Sequence, residues 1–197
     1  MKWSVLFILY FIITCSAFSA DKTSLKNRLY LFSGQYTTNS MGGTANPLGA
    51  DYEDFYLVAA AYSRDSFQVG QGVSAGPELG LANRFGNGRS STEIWGGILF
   101  RHKGLIVLKG LKISPGLTAG FSLIDKTMGT EKRREEDGSD ENADFLFYLG
   151  PELGISFTRN SRWEIVYRLH HRSGGDGTLG NFREAYNANT LGVRYRF

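Results

Sequence analysis

The sequence predicts an all-β protein, an eight-stranded antiparallel transmembrane β-barrel of the outer-membrane type. Three observations predict it. Eight stretches of strand character follow one another. Several of them alternate apolar and polar residues with period two. The connections between them alternate between long and short. A tilted barrel strand needs about 9–11 residues to cross the hydrocarbon, and eight is an allowed even number for a bacterial barrel. The 197 residues suit a single domain.

The first 20 residues, MKWSVLFILYFIITCSAFSA, have the layout of a secretory signal: one Lys, an apolar run from Val5 to Ile13, then small residues. Cleavage after Ser19 or Ala20 is expected, which gives a signal peptide over 1–20 and a barrel domain over 21–197. An N-terminal anchor would need a longer apolar run. A lipoprotein site at Cys15 is disfavoured by Thr14. Cys15 is the single cysteine, so the expected mature chain offers neither a disulfide nor thiol chemistry. The formal charge is +3, too small a bias to argue for nucleic acid.

The predicted strands are Arg28–Tyr36, Asp54–Arg64, Val73–Phe85, Thr92–Arg101, Leu111–Ile124, Asp144–Phe157, Arg162–Arg172 and Asn187–Phe197. In the sixth, Phe145, Phe147, Leu149, Leu153 and Ile155 share one face, against Tyr148, Gly150 and Glu152. In the last, Leu191, Val193, Tyr195 and Phe197 oppose Thr190, Gly192, Arg194 and Arg196. Period two with charge on one face marks strands between apolar and polar surroundings. The polar face mixes charge with glycine, which suits a narrow lumen packed with ion pairs. Glu78, Glu93 and Glu152 are placed to balance Arg168, Arg194 and Arg196 there. The apolar face then meets lipid. Trp163, Phe157, Tyr195 and Phe197 cluster at strand ends, as interface girdles do. The segment GPELG, at 76–80 and 150–154, reads as two similar strand environments.

The connections Thr37–Glu53, Asp125–Ala143 and Ser173–Tyr186 are long, and Gly86–Ser91 is short. All four fall outside the cell if both termini are periplasmic. The turn Thr158–Ser161 is very short. The turns at 65–72 and 102–110 are longer than a periplasmic turn requires. The run EKRREEDGSDEN within 125–143 reads first as a solvated, mobile loop and second as a contact for phosphates and cations at a lipopolysaccharide surface.

An eight-stranded lumen is filled by side chains, so a pore is disfavoured and function belongs on the loops or the outer wall. Parity along the seventh strand puts His171 and Ser173 on the face of Trp163, Ile165, Tyr167 and Leu169, at the external end. An imidazole on a lipid-facing wall is costly unless paired or functional. Residues i and i+2 of one strand lie about 6.5–7 Å apart at Cα, within reach for a serine activated by a base. Ser173 is then a nucleophile and His171 its base, with Glu184 or Asp176 as the orienting acid. The N–H groups of Gly174 or Gly175 are candidate oxyanion donors. The alternative is that both polar residues are merely solvated where the strand leaves the membrane. His170 has lumen parity, and His102 reads as a periplasmic turn residue. The histidines show no metal-ligand spacing, and no cofactor is expected.

The segment His171-Arg172-Ser173, with Glu184, Asn187 and Asn189 downstream and the ending LGVRYRF, resembles the lipid A 3-O-deacylases and the wider acyloxyacyl-hydrolase-type barrels. The close likeness covers His170 to Phe197. It implies an eight-stranded barrel of the bacterial outer membrane. It also implies a triad of His171, Ser173 and Glu184 on the outer wall. The implied substrate is an ester-linked acyl chain of lipid A in the outer leaflet. Gly174 stands where that family commonly carries Asn, and Glu184 follows Ser173 at a spacing one residue shorter. The rival reading is a non-enzymatic small barrel whose external loops bind a partner or shield the surface.

Overall fold

In the computed structural model, residues 25–108, 110–138, 142–157, 161–183 and 185–197 are described. The expected signal peptide and Glu184 both lie outside the described residues. The strands are β1 (Asn27–Thr37), β2 (Tyr52–Arg64), β3 (Phe67–Gly70), β4 (Val73–Gly86), β5 (Arg89–His102), β6 (Leu105–Leu108), β7 (Leu111–Ile124), β8 (Phe145–Ser156), β9 (Trp163–Ser173) and β10 (Ala185–Arg196). Two helices, α1 (Met41–Thr44) and α2 (Gly129–Glu136), lie in the first and third external loops.

Eight long strands form one closed antiparallel sheet. Neighbours in sequence pair, β10 pairs with β1 (Leu31 opposite Val193), and β2 with β4 (Leu57 opposite Arg84). Closure leaves no backbone edge unpaired, the condition for crossing a bilayer with strands. The outward positions carry Leu31, Val58, Leu81, Ile94, Phe121, Leu153, Ile165 and Leu191, all exposed. A wall of this kind is stable against acyl chains and not against water. Among the described residues, no helix is long and apolar enough to cross a membrane.

β3 and β6 explain the two overlong turns. Each folds back on the start of the next barrel strand, β3 on β4 and β6 on β7. The exposed Phe67, Val69, Leu105 and Leu108 they carry extend the apolar wall towards the periplasmic end on that side. The girdle expected at this end is present: the Trp163 and Tyr195 rings lie 4.7 Å apart, with Tyr195 stacked on Phe197 at 6.2 Å.

The inward face is a column of charge. Arg168 sits at its centre, and Glu78 and Glu152 both accept from it, at 2.7 and 2.6 Å. The two GPELG copies are thus the two walls of one guanidinium site. Arg194 also binds Glu152, at 2.6 Å, and reaches Glu164, which in turn binds Arg101. Glu93 differs from expectation, because His170 and Arg172 flank it, at 2.9 and 3.6 Å. Arg196 is at the periplasmic mouth, where it donates to the Ser161 carbonyl. Aromatic rings fill the remaining width, Trp95 stacking on Tyr148 and Arg168 lying over Tyr30 at 5.1 Å. Gly80 is required here, because a Cβ would stand 1.9 Å from the Trp95 ring.

The first part of the charge run, residues 131–136, is helical rather than irregular. It forms α2, whose Lys132 and Glu136 pair at i,i+4 with 3.1 Å separation. Glu131 turns into the lumen, fully buried, and binds both Arg84 and Arg172. Glu53 accepts from Tyr186 at 2.8 Å, from Arg133 at 2.8 Å, and from the hydroxyl of Thr130. Like-signed guanidiniums at the mouth need a buried carboxylate, and the loop supplies it.

Candidate functional site

The outward faces of β1, β10 and β9 are apolar in mid-membrane and polar at the external end. Thr37 lies opposite Asn187, and Asn187 opposite His171, so the three form one row across neighbouring strands. Gln35 and Asn189 form the row below. Polar groups at this depth need partners, and the first external loop provides them. The Asn39 carbonyl accepts from Asn187 Nδ2 at 2.8 Å, and Thr44 and Thr37 share a hydroxyl contact of 2.7 Å.

This corrects the expectation that His171 faces lipid. Its parity is outward, but α1 and its flanks fold over the wall and leave the side chain 7% exposed. The burial fixes its chemistry. Asn187 Oδ1 lies 2.6 Å from His171 Nδ1. The Asn187 amide orientation is set by Asn39, because only its NH2 group can donate to a carbonyl. Oδ1 therefore faces the ring, and His171 carries its proton on Nδ1. Nε2 keeps a lone pair, the form a general base needs.

Ser173 is two residues on, half-buried, opposite Phe147 of β8 and Ala185 of β10. Its hydroxyl accepts from the Gly175 N–H at 3.2 Å, and no hydrogen bond joins it to His171. Gly175 thus holds a donor beside the candidate nucleophile, whereas the Gly174 N–H makes no hydrogen bond to the Ser173 hydroxyl. The glycine at 174 has a steric reason: a Cβ there would stand 1.8 Å from the Phe182 carbonyl oxygen. Asp176 is exposed, with φ +56°, and is not hydrogen-bonded to His171. His170 binds Glu93 inside the lumen, and His102 Nδ1 accepts from the Gly104 N–H at 3.0 Å in a turn. Among the described residues, no three His, Cys, Asp or Glu side chains gather as metal ligands.

Below the His171 row a groove of about 710 Å³ runs down the wall over Ser33, Gly34 and Leu191, between Tyr56 and Tyr167. Tyr167 donates to Asn189 Oδ1 at 2.5 Å, Asn189 to the Tyr52 hydroxyl at 3.0 Å, and Tyr52 to the Pro47 carbonyl at 2.8 Å. That chain ties the loop to the groove. Asn187 was legible as a polar residue near the pair. Tyr167 was legible as a residue of the same face; Asn39 and Tyr52 were not, because nothing in the sequence says that the first loop lies down on the wall.

No family model matches the chain, and no curated protein matches it. Solved structures do. The outer membrane enzyme PagL is similar over 86% of this chain and 99% of its own, with a TM-score of 0.54 at 10% identity. Neisserial surface protein A (NspA) is similar over 88% and 98%, also with a TM-score of 0.54, at 11% identity. The fold is that of the bacterial outer-membrane β-barrels.

Proposed function

We propose that this barrel is a serine esterase that removes an ester-linked acyl chain from lipid A in the outer leaflet. The observation that carries this reading is the Asn187 contact, which locks His171 with Nε2 free, two residues from Ser173 on the same outer face. The groove beneath them offers an acyl chain an apolar slot at the depth of the bilayer. The fold likeness to the outer membrane enzyme PagL is consistent with it.

In the proposed reaction, His171 Nε2 takes the Ser173 proton as Oγ attacks the ester carbonyl. The imidazolium then returns the proton to the departing sugar oxygen, and water releases the fatty acid from Ser173 by the reverse sequence. The Gly175 N–H, which meets the hydroxyl in the resting state, is the proposed oxyanion donor. Asn187 orients the ring. Glu184, whose chain neighbour Ala185 pairs with Ser173, is proposed to supply the negative charge that an amide lacks.

Mass spectrometry of lipid A from cells with and without the protein tests this. The expected outcome is loss of one acyl mass with wild type and a fall of about 10³-fold or more with Ser173→Ala or His171→Ala. Unchanged acylation with wild type, or full activity in Ser173→Ala, would overturn it. The second reading is a non-enzymatic barrel whose external surface binds a partner. The charge-dense, folded α2 mouth favours that reading, and it predicts a cellular phenotype untouched by Ser173→Ala.

A further inference from the structure

The periplasmic mouth holds a second feature, remote from the external site. A cavity of about 600 Å³ opens there between the ends of β1, β5, β7 and β10 and the β2–β3 turn. Six cationic side chains line it against one carboxylate, Asp65. Arg28 is bidentate to Asp65, and Arg101 is taken by Glu164. Lys26, Lys103, Lys112 and Arg196 form no ion pair within 4 Å among the described residues.

The unpaired cations point to an anionic ligand, because like charges gathered in one cavity repel one another unless an anion offsets them. Phe67 and Leu25 line the same cavity, so its lining is apolar as well as cationic. The girdle of Trp163, Tyr195 and Phe197 places this end at the level of lipid headgroups.

We propose that the periplasmic mouth is a phosphate site, built to take the phosphate of an anionic phospholipid headgroup from the inner-facing leaflet. The guanidinium and ammonium groups hold the phosphate oxygens, and Phe67 lies against the attached acyl chains. Free inorganic phosphate shares this chemistry and is the other source.

Native mass spectrometry of the protein purified from outer membranes, in detergent mixed with phosphatidylglycerol or phosphatidylcholine, separates them. Inorganic phosphate is titrated in parallel by calorimetry. The expected result is preferential retention of phosphatidylglycerol, reduced about tenfold by K103Q/K112Q. The external pair R89Q/K126Q should leave it unchanged. Retention of the folded, heat-modifiable form is checked for each, with R196Q as a second variant if K103Q/K112Q fails to fold. Phosphate binding with the same variant sensitivity but no lipid preference upholds the site and assigns it to the free ion. Equal retention of both lipids with no phosphate binding, or equal losses in the external pair, overturns the proposal.

Discussion

The two ends of this barrel solve the same electrostatic problem in opposite ways. Both present arginines to a narrow mouth. At the external end, Arg84 and Arg172 meet Glu131 from α2, and Glu53 meets Thr130, Arg133 and Tyr186. A folded loop brings the counter-charge inside and closes the opening. At the periplasmic end the two long turns fold back on the wall as β3 and β6 instead of into the lumen, and Asp65 is the one carboxylate lining a cavity with six cations. One mouth is neutralised by the chain itself. The other is left for something outside the chain to neutralise. Where a connection folds, into the lumen or back on the wall, decides which end carries its own plug.

Three substitutions break or sharpen that contrast. Arg168→Met, between the two ends, should have the largest effect. It leaves Glu78 buried with only Trp95 and Thr118 as neutral partners. A loss of about 3–5 kcal/mol is expected, measured by urea unfolding of the barrel in lipid vesicles. A loss below about 1 kcal/mol would mean that the column is more hydrated than its burial implies.

Glu131→Gln attacks the external end and should cost about 2–3 kcal/mol, since Arg84 has no other ion pair among the described residues. The sharper readout is trypsin. Lys132, Arg133 and Arg134 should become cleavable as α2 leaves the mouth, while the wild-type run resists. Equal cleavage rates would show that Glu131 does not hold the plug.

Asp65→Asn attacks the periplasmic end, with the smallest effect, about 1 kcal/mol or less near neutral pH given its partial exposure. Burial pushes the Asp65 carboxyl up, but the hydrogen bonds and charge of Arg28 outweigh it and hold the group below its ordinary range. A depressed carboxylate stabilises above its unfolded value, about 3.9, and loses that contribution as pH falls through the folded value. Wild type and variant should therefore differ at pH 7 and converge as the pH falls below the unfolded value and through the depressed folded one. A difference that persists in acid would point to packing rather than charge.

Much of the barrel was legible because a strand between lipid and lumen must alternate. Leu191, Val193 and Tyr195 could face only one way once Arg194 faced the other. The duplicated GPELG read as two similar strand environments, although not as two walls around Arg168. Parity placed His170 inside and His171 outside. It could not say that His171 would be covered, because the cover comes from residues about 130 positions earlier. The start of the charge run, residues 131–136, misled for a related reason. Alternating charge reads as solvated when its partners are unknown, and here Arg84 and Arg172 lie on distant strands.

The sequence alone determined the number of barrel strands, which face meets lipid, and the outward placement of an imidazole and a hydroxyl two residues apart. These follow from local periodicity, which needs no partner strand. Only the tertiary structure decided that a loop would bury the imidazole and that an amide would set its tautomer. It also decided that a charged helix would seal one mouth and that cations would remain exposed at the other. Those outcomes depend on which distant groups closure brings within about 3 Å, and a one-dimensional pattern carries no such distance.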